Sequence, residues 1–504
     1  MFPVFTNDMN QNQDKNSIDN AITPRDVDFS QWYLDVIKAA DLAENSPVRG
    51  CMVIKPYGYA IWENIQKILD EEFKKRGTQN AYFPLLIPKS FLEKEAKHVE
   101  GFAKECAVVT HHRLEEKDGK LIPAGELEEP LIIRPTSETI IYDTFSKWIN
   151  SYRDLPLLIN QWCNVFRWEM RTRPFLRTSE FLWQEGHTAH ASKDEADKKT
   201  LEMLEVYRML AEDYLGISLV LGRKTESEKF AGADYTTTIE AMMQDGKALQ
   251  SGTSHMLGQN FSKSFDVSYL DENQEKQYVW QTSWGLSTRI IGAIIMSHSD
   301  DKGLVLPPKI APFQVVIIPI YATEEDRITV MEKVSIVKDR LNSAGISLKV
   351  DDREGRPGFK YFEWERKGVP LRFEIGPKDV EKGSVVVVER LHGKKEFVQD
   401  IDIVMFVHSS LKKMQDSLLT NSEKFRVENT REVADYEEFK KTISNKKGFV
   451  FTHLCLDKNC EEKIKEETKA TSRCIPFEGG VGNSGICIYC GKDAQNKVLF
   501  AKAY

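Results

Sequence analysis

The sequence of 504 residues lacks any apolar run close to the roughly 20 residues of a membrane-spanning helix. Residues 1–24 are polar and lack the basic region and apolar core of a secretion signal, so we expect residues 1–25 to form a flexible lead-in. A broad basic excess is also missing, since 69 Lys and Arg face 77 Asp and Glu. These absences exclude a membrane-spanning protein, argue against an indiscriminate nucleic-acid binder, and favour a cytoplasmic protein of about three domains.

Cysteine is scarce and unevenly placed, with eight residues in the whole chain. Cys455 and Cys460, and then Cys487 and Cys490, form two close pairs near the end of the sequence. This spacing is typical of a structural zinc site closed by four thiolates. Disulfides are the alternative, although the sequence has no secretion signal to favour them.

One segment, Phe166 to His190, concentrates arginine, glutamate, histidine and large aromatic residues. Guanidinium groups bind phosphate or carboxylate oxygens through two parallel hydrogen bonds, and aromatic rings offer flat faces for a base or a small ring. The segment therefore favours a site for a charged, ring-bearing ligand. An ion-paired surface hairpin is the simpler alternative.

A second segment, from Gln281 to Pro308, runs from a short polar strand through Gly285 to Arg289 and an apolar helix. The two segments resemble motifs 2 and 3 of the class II aminoacyl-tRNA synthetases. That resemblance implies an antiparallel sheet carrying a bent ATP, with Arg167 at the α-phosphate and Arg289 at the γ-phosphate. Both arginines are expected to be catalytic.

The stretch from Tyr59 to Pro88 resembles motif 1, which builds the homodimer interface in that class. Apolar residues recur at helical spacing up to Phe73, Gly77 ends the predicted helix, and Ala81 to Ile87 is a predicted strand. An amphipathic helix followed by an apolar strand is common in α/β proteins, so this pattern alone is unspecific.

Three further motifs narrow the resemblance to the prolyl-tRNA synthetase family: R-P-T-S-E-T from Arg134, W-Q-E-G-H from Trp183, and G-T-S-H from Gly252. Proline carries a secondary ammonium with two N–H donors, so its site needs acceptors and an apolar wall. Glu138 and Thr136 supply the acceptors. The alternative for R-P-T-S-E is a turn that caps a helix at Thr136 or Ser137.

By resemblance, the substrates are L-proline, ATP and proline tRNA, and Mg²⁺ accompanies ATP. The residues implied for proline are Thr136, Glu138, Arg167, Trp183, Glu185, His187, Phe230 and His255. Those implied for ATP are Arg167, Glu169, Arg177, Thr178, Phe181, Gln250, Thr253, Ser287 and Arg289. A loop carrying Phe102 and Glu105 is expected to cover the pocket.

Between Pro307 and residue 409 the sequence alternates apolar strands with a helix, which predicts a mixed sheet. A nucleotide-binding unit would fit this alternation, but its first turn lacks a glycine-rich phosphate loop. By resemblance this is an anticodon-binding domain. Glu365, Arg372 and Lys378 match the positions that read the two guanines of a proline anticodon. Solvated surface charges are the alternative for these three residues.

The predicted fold is therefore α/β, with residues 26–308 as the class II catalytic core, 309–409 as the anticodon-binding domain and 410–504 as a C-terminal zinc-binding domain. Too few residues separate His187 from Gly285 for the inserted editing domain of bacterial-type relatives. A separate deacylase would then have to hydrolyse mischarged tRNA. Two alternatives remain: a related synthetase for threonine, glycine or histidine, and a non-catalytic protein derived from a synthetase.

Overall fold

The computed structural model describes residues 21–94, 105–445 and 448–504. Along them the helices are α1 (Phe29–Ala39), α2 (Pro56–Lys75), α3 (Lys89–Glu93), α4 (Glu138–Trp148), α5 (Lys193–Met209), α6 (Asn260–Ser264), α7 (Arg289–His298), α8 (Glu324–Ser343), α9 (Pro357–Arg366), α10 (Pro377–Glu381), α11 (Ile403–Glu428), α12 (Tyr436–Asn445) and α13 (Lys458–Thr468). None of the described helices has both the length and the apolar character needed to cross a membrane.

The strands fall into several sheets, of which two are large. They are β1 (Ala43–Asn45), β2 (Met52–Ile54), β3 (Gln79–Asn80), β4 (Leu86–Pro88), β5 (Ala107–Lys117), β6 (Lys120–Ile133), β7 (Leu157–Phe166), β8 (Glu180–His190), β9 (Leu219–Arg223), β10 (Tyr235–Met242), β11 (Ala248–Gly258), β12 (Ser268–Leu270), β13 (Lys276–Tyr278), β14 (Trp280–Ser287), β15 (Val315–Pro319), β16 (Leu348–Val350), β17 (Leu371–Ile375), β18 (Ser384–Glu389), β19 (Lys395–Gln399), β20 (Thr430–Glu432), β21 (Phe449–Leu454), β22 (Thr471–Pro476), β23 (Gly485–Ile486), β24 (Asp493–Ala494) and β25 (Asn496–Ala501).

The chain divides into two compact units. The first takes in the described residues up to Glu44 together with Ile54–Asn64 and Ile294–Leu418; the second takes in Asn45–Val53, the described part of Ile65–Ala293, and Leu419–Tyr504. The domain boundaries given above at residues 308 and 409 stay a prediction.

The second unit is built on an eleven-stranded sheet in the order β20-β21-β25-β22-β9-β10-β11-β14-β8-β7-β3. All pairs from β25 to β7 along this order are antiparallel. Helix α5 packs on the sheet and buries Met203, Leu204 and Tyr207. Gly252 of β11 lies under the Tyr207 ring, which would be 2.9 Å from a Cβ at that position, so only glycine fits.

The sheet of the first unit has the order β16-β15-β17-β18-β19. Strand β15 is parallel to β16 and β17, and β17, β18 and β19 are antiparallel, so the predicted mixed sheet is confirmed. Helix α8 covers it with Val330, Val334, Val337 and Leu341. The apolar spacing from Ile328 to Leu341 predicts that Ile328 belongs to the buried face, but it is 56% exposed. It lies two residues before Val330, about 200° around the helix, and so on the face opposite the sheet.

The predicted strand from Ala81 to Ile87 is confirmed only at Leu86 and Ile87, which belong to β4. Residues 81–85, between β3 and β4, join no ladder. Side chains replace the ladder at the centre of this stretch. The Phe83 N–H donates to Gln161 Oε1 at 2.7 Å, and the Phe83 carbonyl accepts from Arg134 Nη1 at 2.8 Å. Pro84 has no N–H to donate, so a continuous ladder was not available to this stretch.

Candidate active site and metal centre

A cavity of about 280 Å³ opens over strands β8, β10, β11 and β14 of the large sheet. Its lining contains most of the side chains that the resemblance assigns to proline and ATP: Thr136, Glu138, Arg167, Phe181, Trp183, Glu185, His187, Phe230, Gln250, Thr253, His255, Ser287 and Arg289. These residues come from segments more than a hundred positions apart in the sequence. The fold therefore brings the two arginine-bearing motifs to one concave site.

A second cavity of about 250 Å³ adjoins the first and shares Arg167, Phe181, Ser287 and Arg289 with it. The remaining residues assigned to ATP, together with one from the covering loop, lie here: Glu105, Glu169, Arg177 and Thr178. Phe102, the other residue assigned to that loop, lies outside the described residues.

Arg167 follows the end of β7 and lies at the boundary of the two cavities. Its Nε donates to the Pro135 carbonyl at 2.8 Å, and its guanidinium carbon lies 5.5 Å from the ring centres of both Phe181 and Trp183. Desolvation lowers the pKa of Arg167, and the nearby carboxylate of Glu138 opposes that shift. The group stays a cation whose orientation is fixed by a carbonyl and two rings.

Glu138 is the first residue of α4, and its carboxylate accepts a short hydrogen bond from the Thr136 hydroxyl. Both side chains are buried but line the first cavity. Ser137 is the N-cap residue, as the simpler interpretation of R-P-T-S-E requires, although its side chain makes no capping hydrogen bond. The hydroxyl of Ser137 instead donates to Glu185 Oε1 at 2.5 Å. The R-P-T-S-E segment therefore begins a helix and also contributes side chains to the first cavity.

Glu185 on β8 is the centre of a buried polar network. Gln161 Nε2 donates to its Oε1 at 2.7 Å, and His187 Nε2 lies 3.1 Å from its Oε2. The other ring nitrogen of His187, Nδ1, lies 3.1 Å from the Tyr142 hydroxyl. Burial alone would raise the pKa of Glu185, but the hydrogen bonds from His187, Ser137 and Gln161 outweigh it and lower the pKa. The wall beside Glu138 therefore carries a stable negative charge.

Phe230 and His255 form the opposite wall, with ring centres 4.7 Å apart. Thr236 Oγ1 lies 2.9 Å from His255 Nδ1, and Thr253 Oγ1 lies 3.1 Å from His255 Nε2. Because both ring nitrogens have hydroxyl partners, the ring is held with its edge fixed and its face toward Phe230. This wall offers the flat apolar surface that a small ring requires.

Arg289 begins α7 and donates from Nε to the Leu176 carbonyl at 3.1 Å. Burial, and then the positive charges of Arg177, Arg167 and Arg473, lower the pKa of Arg289 to about 10. Arg177 is half exposed and lies 3.7 Å from Glu169 Oε2. Three guanidinium groups thus face one region, which suits a polyanion.

Sequence reasoning missed several lining residues, namely Lys224, Glu228, Thr236 and Ser283. Thr236 could have been found from the alternation in β10, where Thr236, Thr238 and Glu240 share one face of the strand. Lys224 had no such signal, because a lysine between Arg223 and Thr225 in the sequence resembles an ordinary solvated charge.

The four predicted zinc ligands lie together in the second unit. Their sulfur atoms are all within 4.8 Å of one another, with 3.6 Å between Cys455 and Cys460 and 3.7 Å between Cys455 and Cys490. A tetrahedral zinc ion with Zn–S bonds of about 2.3 Å separates its sulfurs by about 3.8 Å, so the set fits that ion. All eight cysteines are free thiols, which contradicts the disulfide alternative. Cys474 is fully buried, away from this set, among apolar residues.

The three residues assigned to the anticodon lie in the first unit. The Arg372 guanidinium stacks 4.4 Å from the Tyr361 ring centre and donates to Glu374 at 3.0 Å. Tyr361 and Glu365 are four residues apart on α9 and so share a face, while Lys378 lies in the first turn of α10. Their roles as base-reading groups stay a prediction.

Known proteins resemble this chain over nearly its full length. Family models match residues 121–298 as the tRNA synthetase class II core domain (G, H, P, S and T), residues 314–409 as an anticodon binding domain, and residues 436–504 as the C-terminal region of prolyl-tRNA synthetase. Relatives named proline--tRNA ligase include one from Amoebophilus asiaticus, 55% identical over 95% of this chain and 99% of the relative. Another from Flavobacterium johnsoniae is 55% identical, and one from Parabacteroides distasonis is 56% identical, each over 96% of this chain and 99% of the relative.

Proposed function

Because the chain belongs to the prolyl-tRNA synthetase family, we propose that its two adjoining cavities form one active site that activates L-proline with ATP and then charges proline tRNA. The observation that carries this proposal is the meeting of Arg167 and Arg289, which come from two distant motifs and line both cavities. A single triphosphate bound across that boundary would touch both guanidinium groups.

In the first step, a carboxylate oxygen of proline attacks the α-phosphorus of ATP. The new C–O–P linkage gives prolyl-adenylate, and pyrophosphate leaves with the electrons of the broken P–O bond. No protein base is needed, so the residues act by alignment and by neutralising charge on the phosphate oxygens. We assign Arg167 to the α-phosphate and the proline carboxylate, and Arg177 and Arg289 to the outer phosphates.

Proline is recognised at the inner end of the first cavity. The Glu138 carboxylate and the Thr136 hydroxyl oxygen accept from the secondary ammonium, while the rings of Trp183, Phe230 and His255 enclose the three methylenes. Glu185 and His187 support this end, because their shared hydrogen bond fixes both side chains. An ammonium held by two acceptors turns the proline carboxylate toward Arg167.

We assign Phe181 to adenine, which stacks on the face of its ring. The rest of the nucleotide is assigned to Glu169, Thr178, Thr253 and Ser287. Mg²⁺, when bound with ATP, supplies further neutralisation of the phosphates. Glu169 and Gln250 carry oxygen donors on this side of the site, which suit a hard cation of this kind. Glu105 would cover the bound nucleotide from the rim of the second cavity.

In the second step, the terminal ribose hydroxyl of the tRNA attacks the activated carbonyl and forms an ester with it. The bond between the carbonyl carbon and the phosphate oxygen breaks, and AMP leaves with that electron pair and the hydroxyl proton. The anticodon is read separately by Glu365, Arg372 and Lys378. Guanine offers O6 and N7 to Arg or Lys, and offers its ring N–H and amino group to Glu. The 314–409 match to an anticodon-binding domain supports this assignment.

We further propose that Cys455, Cys460, Cys487 and Cys490 hold a structural zinc ion, and that the enzyme is a cytoplasmic homodimer. The thiol geometry supports zinc, and eight free thiols are the state that a reducing cytoplasm maintains. The helix α2, which resembles motif 1, is the expected part of the dimer interface. Alanine mischarged onto the tRNA is left to a separate deacylase.

The test is the amino-acid-dependent exchange of labelled pyrophosphate into ATP, measured with each of the twenty amino acids. We expect the strongest exchange with L-proline. Strongest exchange with threonine, glycine or histidine would assign the chain to a related synthetase instead. Absence of exchange with every amino acid would support the alternative of a non-catalytic protein derived from a synthetase.

A further inference from the structure

Three charged side chains with no role in the steps above are buried together beside the first cavity. Lys224 Nζ lies 2.7 Å from Glu240 Oε1, and Arg473 donates to the same carboxylate from Nε at 3.0 Å and from Nη2 at 3.3 Å. The three residues are only 4%, 0% and 7% exposed. Such a cluster is costly to bury, so its composition needs an explanation.

The three members come from different parts of the second unit. Lys224 follows β9 and lines the cavity, and Glu240 lies on β10 directly opposite Gln250, which also lines the cavity. Arg473 lies on β22, in the C-terminal segment that pairs with β9 through Ile475. The C-terminal segment therefore places a cation behind the wall of the active site.

The charges of this cluster do not balance. Within the described residues, the ion pairs of Lys224 and Arg473 reach a single carboxylate, Glu240. Arg473 Nη1 also donates to the Thr471 hydroxyl at 3.0 Å. These three side chains therefore carry one net positive charge in a buried position. Glu461, another buried carboxylate of the C-terminal segment, accepts from the hydroxyls of Thr225 and Ser472 instead of pairing with either cation. The effect reaches the phosphate arginines, because Arg473 is one of the cations that lower the pKa of Arg289. A buried excess of cations is stabilised when an anion occupies the neighbouring space.

We propose that Arg473 is a positioning residue for ATP, which shares Glu240 with Lys224 and so leaves the Lys224 ammonium only partly neutralised beside the triphosphate. The inference rests on the proposed function, since it takes the triphosphate as the balancing anion. Without Arg473, Glu240 would neutralise Lys224 fully and hold it against β10. With Arg473 present, the wall keeps a positive charge. The anionic triphosphate of ATP would neutralise this charge, whereas proline, a zwitterion with no net charge, would not.

The test compares three full-length variants in the pyrophosphate exchange assay. Arg473→Gln keeps a hydrogen-bond donor near Glu240 but removes the charge, and we expect it to raise the KM for ATP roughly tenfold while the KM for proline changes less than about twofold. Arg473→Lys keeps the charge and should restore most of the ATP affinity. Ser472→Ala is the matched control: it removes the neighbouring hydroxyl, which donates to Glu461 at 2.6 Å, and leaves every cation in place.

An unchanged KM for ATP in Arg473→Gln would overturn the proposal. So would equal rises in both KM values, or a rise in Ser472→Ala as large as that in Arg473→Gln, because each would indicate general loosening of the wall. If Arg473→Gln does not fold, Lys224→Gln, which removes the other cation, is measured in the same assay and should also raise the KM for ATP.

Calorimetric titration with a non-hydrolysable ATP analogue separates the role of Arg473 from the proposed function. A wild type that binds the analogue more tightly than Arg473→Gln, yet exchanges no pyrophosphate with proline, would refute the proposed function and leave this inference intact.

Discussion

The two proposed halves of the reaction should be separable by two arginine substitutions. Arg167→Ala removes a cation that contacts two aromatic rings. This cation also interacts electrostatically with the carboxylates of Glu138, Glu105 and Glu185. Its loss leaves those carboxylates without their counter-charge and removes the group assigned to the α-phosphate. Loss of one such charge-stabilising donor costs about 3–4 kcal/mol, so exchange of pyrophosphate should fall roughly 10²–10³-fold.

Arg372→Ala acts on the other unit. Its guanidinium packs on Tyr361 and pairs with Glu374, which retains Lys395 as a second partner at 3.1 Å after the substitution. The exchange reaction uses no tRNA and should keep its rate. A bidentate contact to guanine is worth about 1–3 kcal/mol, so kcat/KM for tRNA charging should fall roughly 5- to 150-fold.

Both variants are measured by pyrophosphate exchange and by charging of proline tRNA, with Arg171→Ala as the control. Arg171 is exposed in the same motif as Arg167, outside the lining of either cavity. The Arg171→Ala variant should show wild-type rates in both pyrophosphate exchange and tRNA charging. Equal loss of exchange in the Arg167 and Arg372 variants would refute the separation of amino-acid activation from anticodon recognition.

Three further outcomes are expected. Wild-type chain should carry about one zinc ion by elemental analysis, and Cys487→Ser should lose it with a lower unfolding temperature; full metal content in that variant would contradict the four-thiolate site. Burial, and then Lys199, lower the pKa of His190 from its ordinary 6.5 to about 4, so the unfolded chain binds the extra proton as pH falls below 6.5. The free energy of unfolding should therefore be constant above pH 6.5 as far as His190 is concerned, and should fall by about 3 kcal/mol by pH 4. Urea unfolding at a series of pH values should show a smaller fall for His190→Asn than for the wild type. Alanyl-tRNA should form, because a pocket shaped for proline excludes a smaller side chain by only about 1–3 kcal/mol per methylene. It should persist without added deacylase, because too few residues separate His187 from Gly285 for an inserted editing domain; rapid hydrolysis by the purified chain would refute this.

Periodic apolar patterns predicted the regular elements well, since each depends on neighbours in the sequence. Helix α2 ends near Gly77, which has a positive φ, as the predicted helix stop requires. The stretch around Phe83 failed because its hydrogen bonds go to the side chains of Gln161 and Arg134, which no local pattern indicates. Resemblance, in turn, identified residues by motif, and all those implied for proline and ATP line one pair of adjoining cavities.

The groups that neither pattern nor motif identified are those that join the C-terminal segment to the catalytic sheet. Glu240 and Arg473 are 233 positions apart, and Thr225 and Glu461 are 236 apart. In the sequence, each of these residues is a single charge or hydroxyl within an ordinary strand or helix. Their contacts with one another form only because β22 pairs with β9. Lys224 lies between these two attachments and lines the first cavity. The shape and charge of the active-site wall therefore depend on a segment whose described residues line neither cavity. The C-terminal segment is thus a structural part of the catalytic sheet, and its effect on catalysis is expected first in the affinity for ATP.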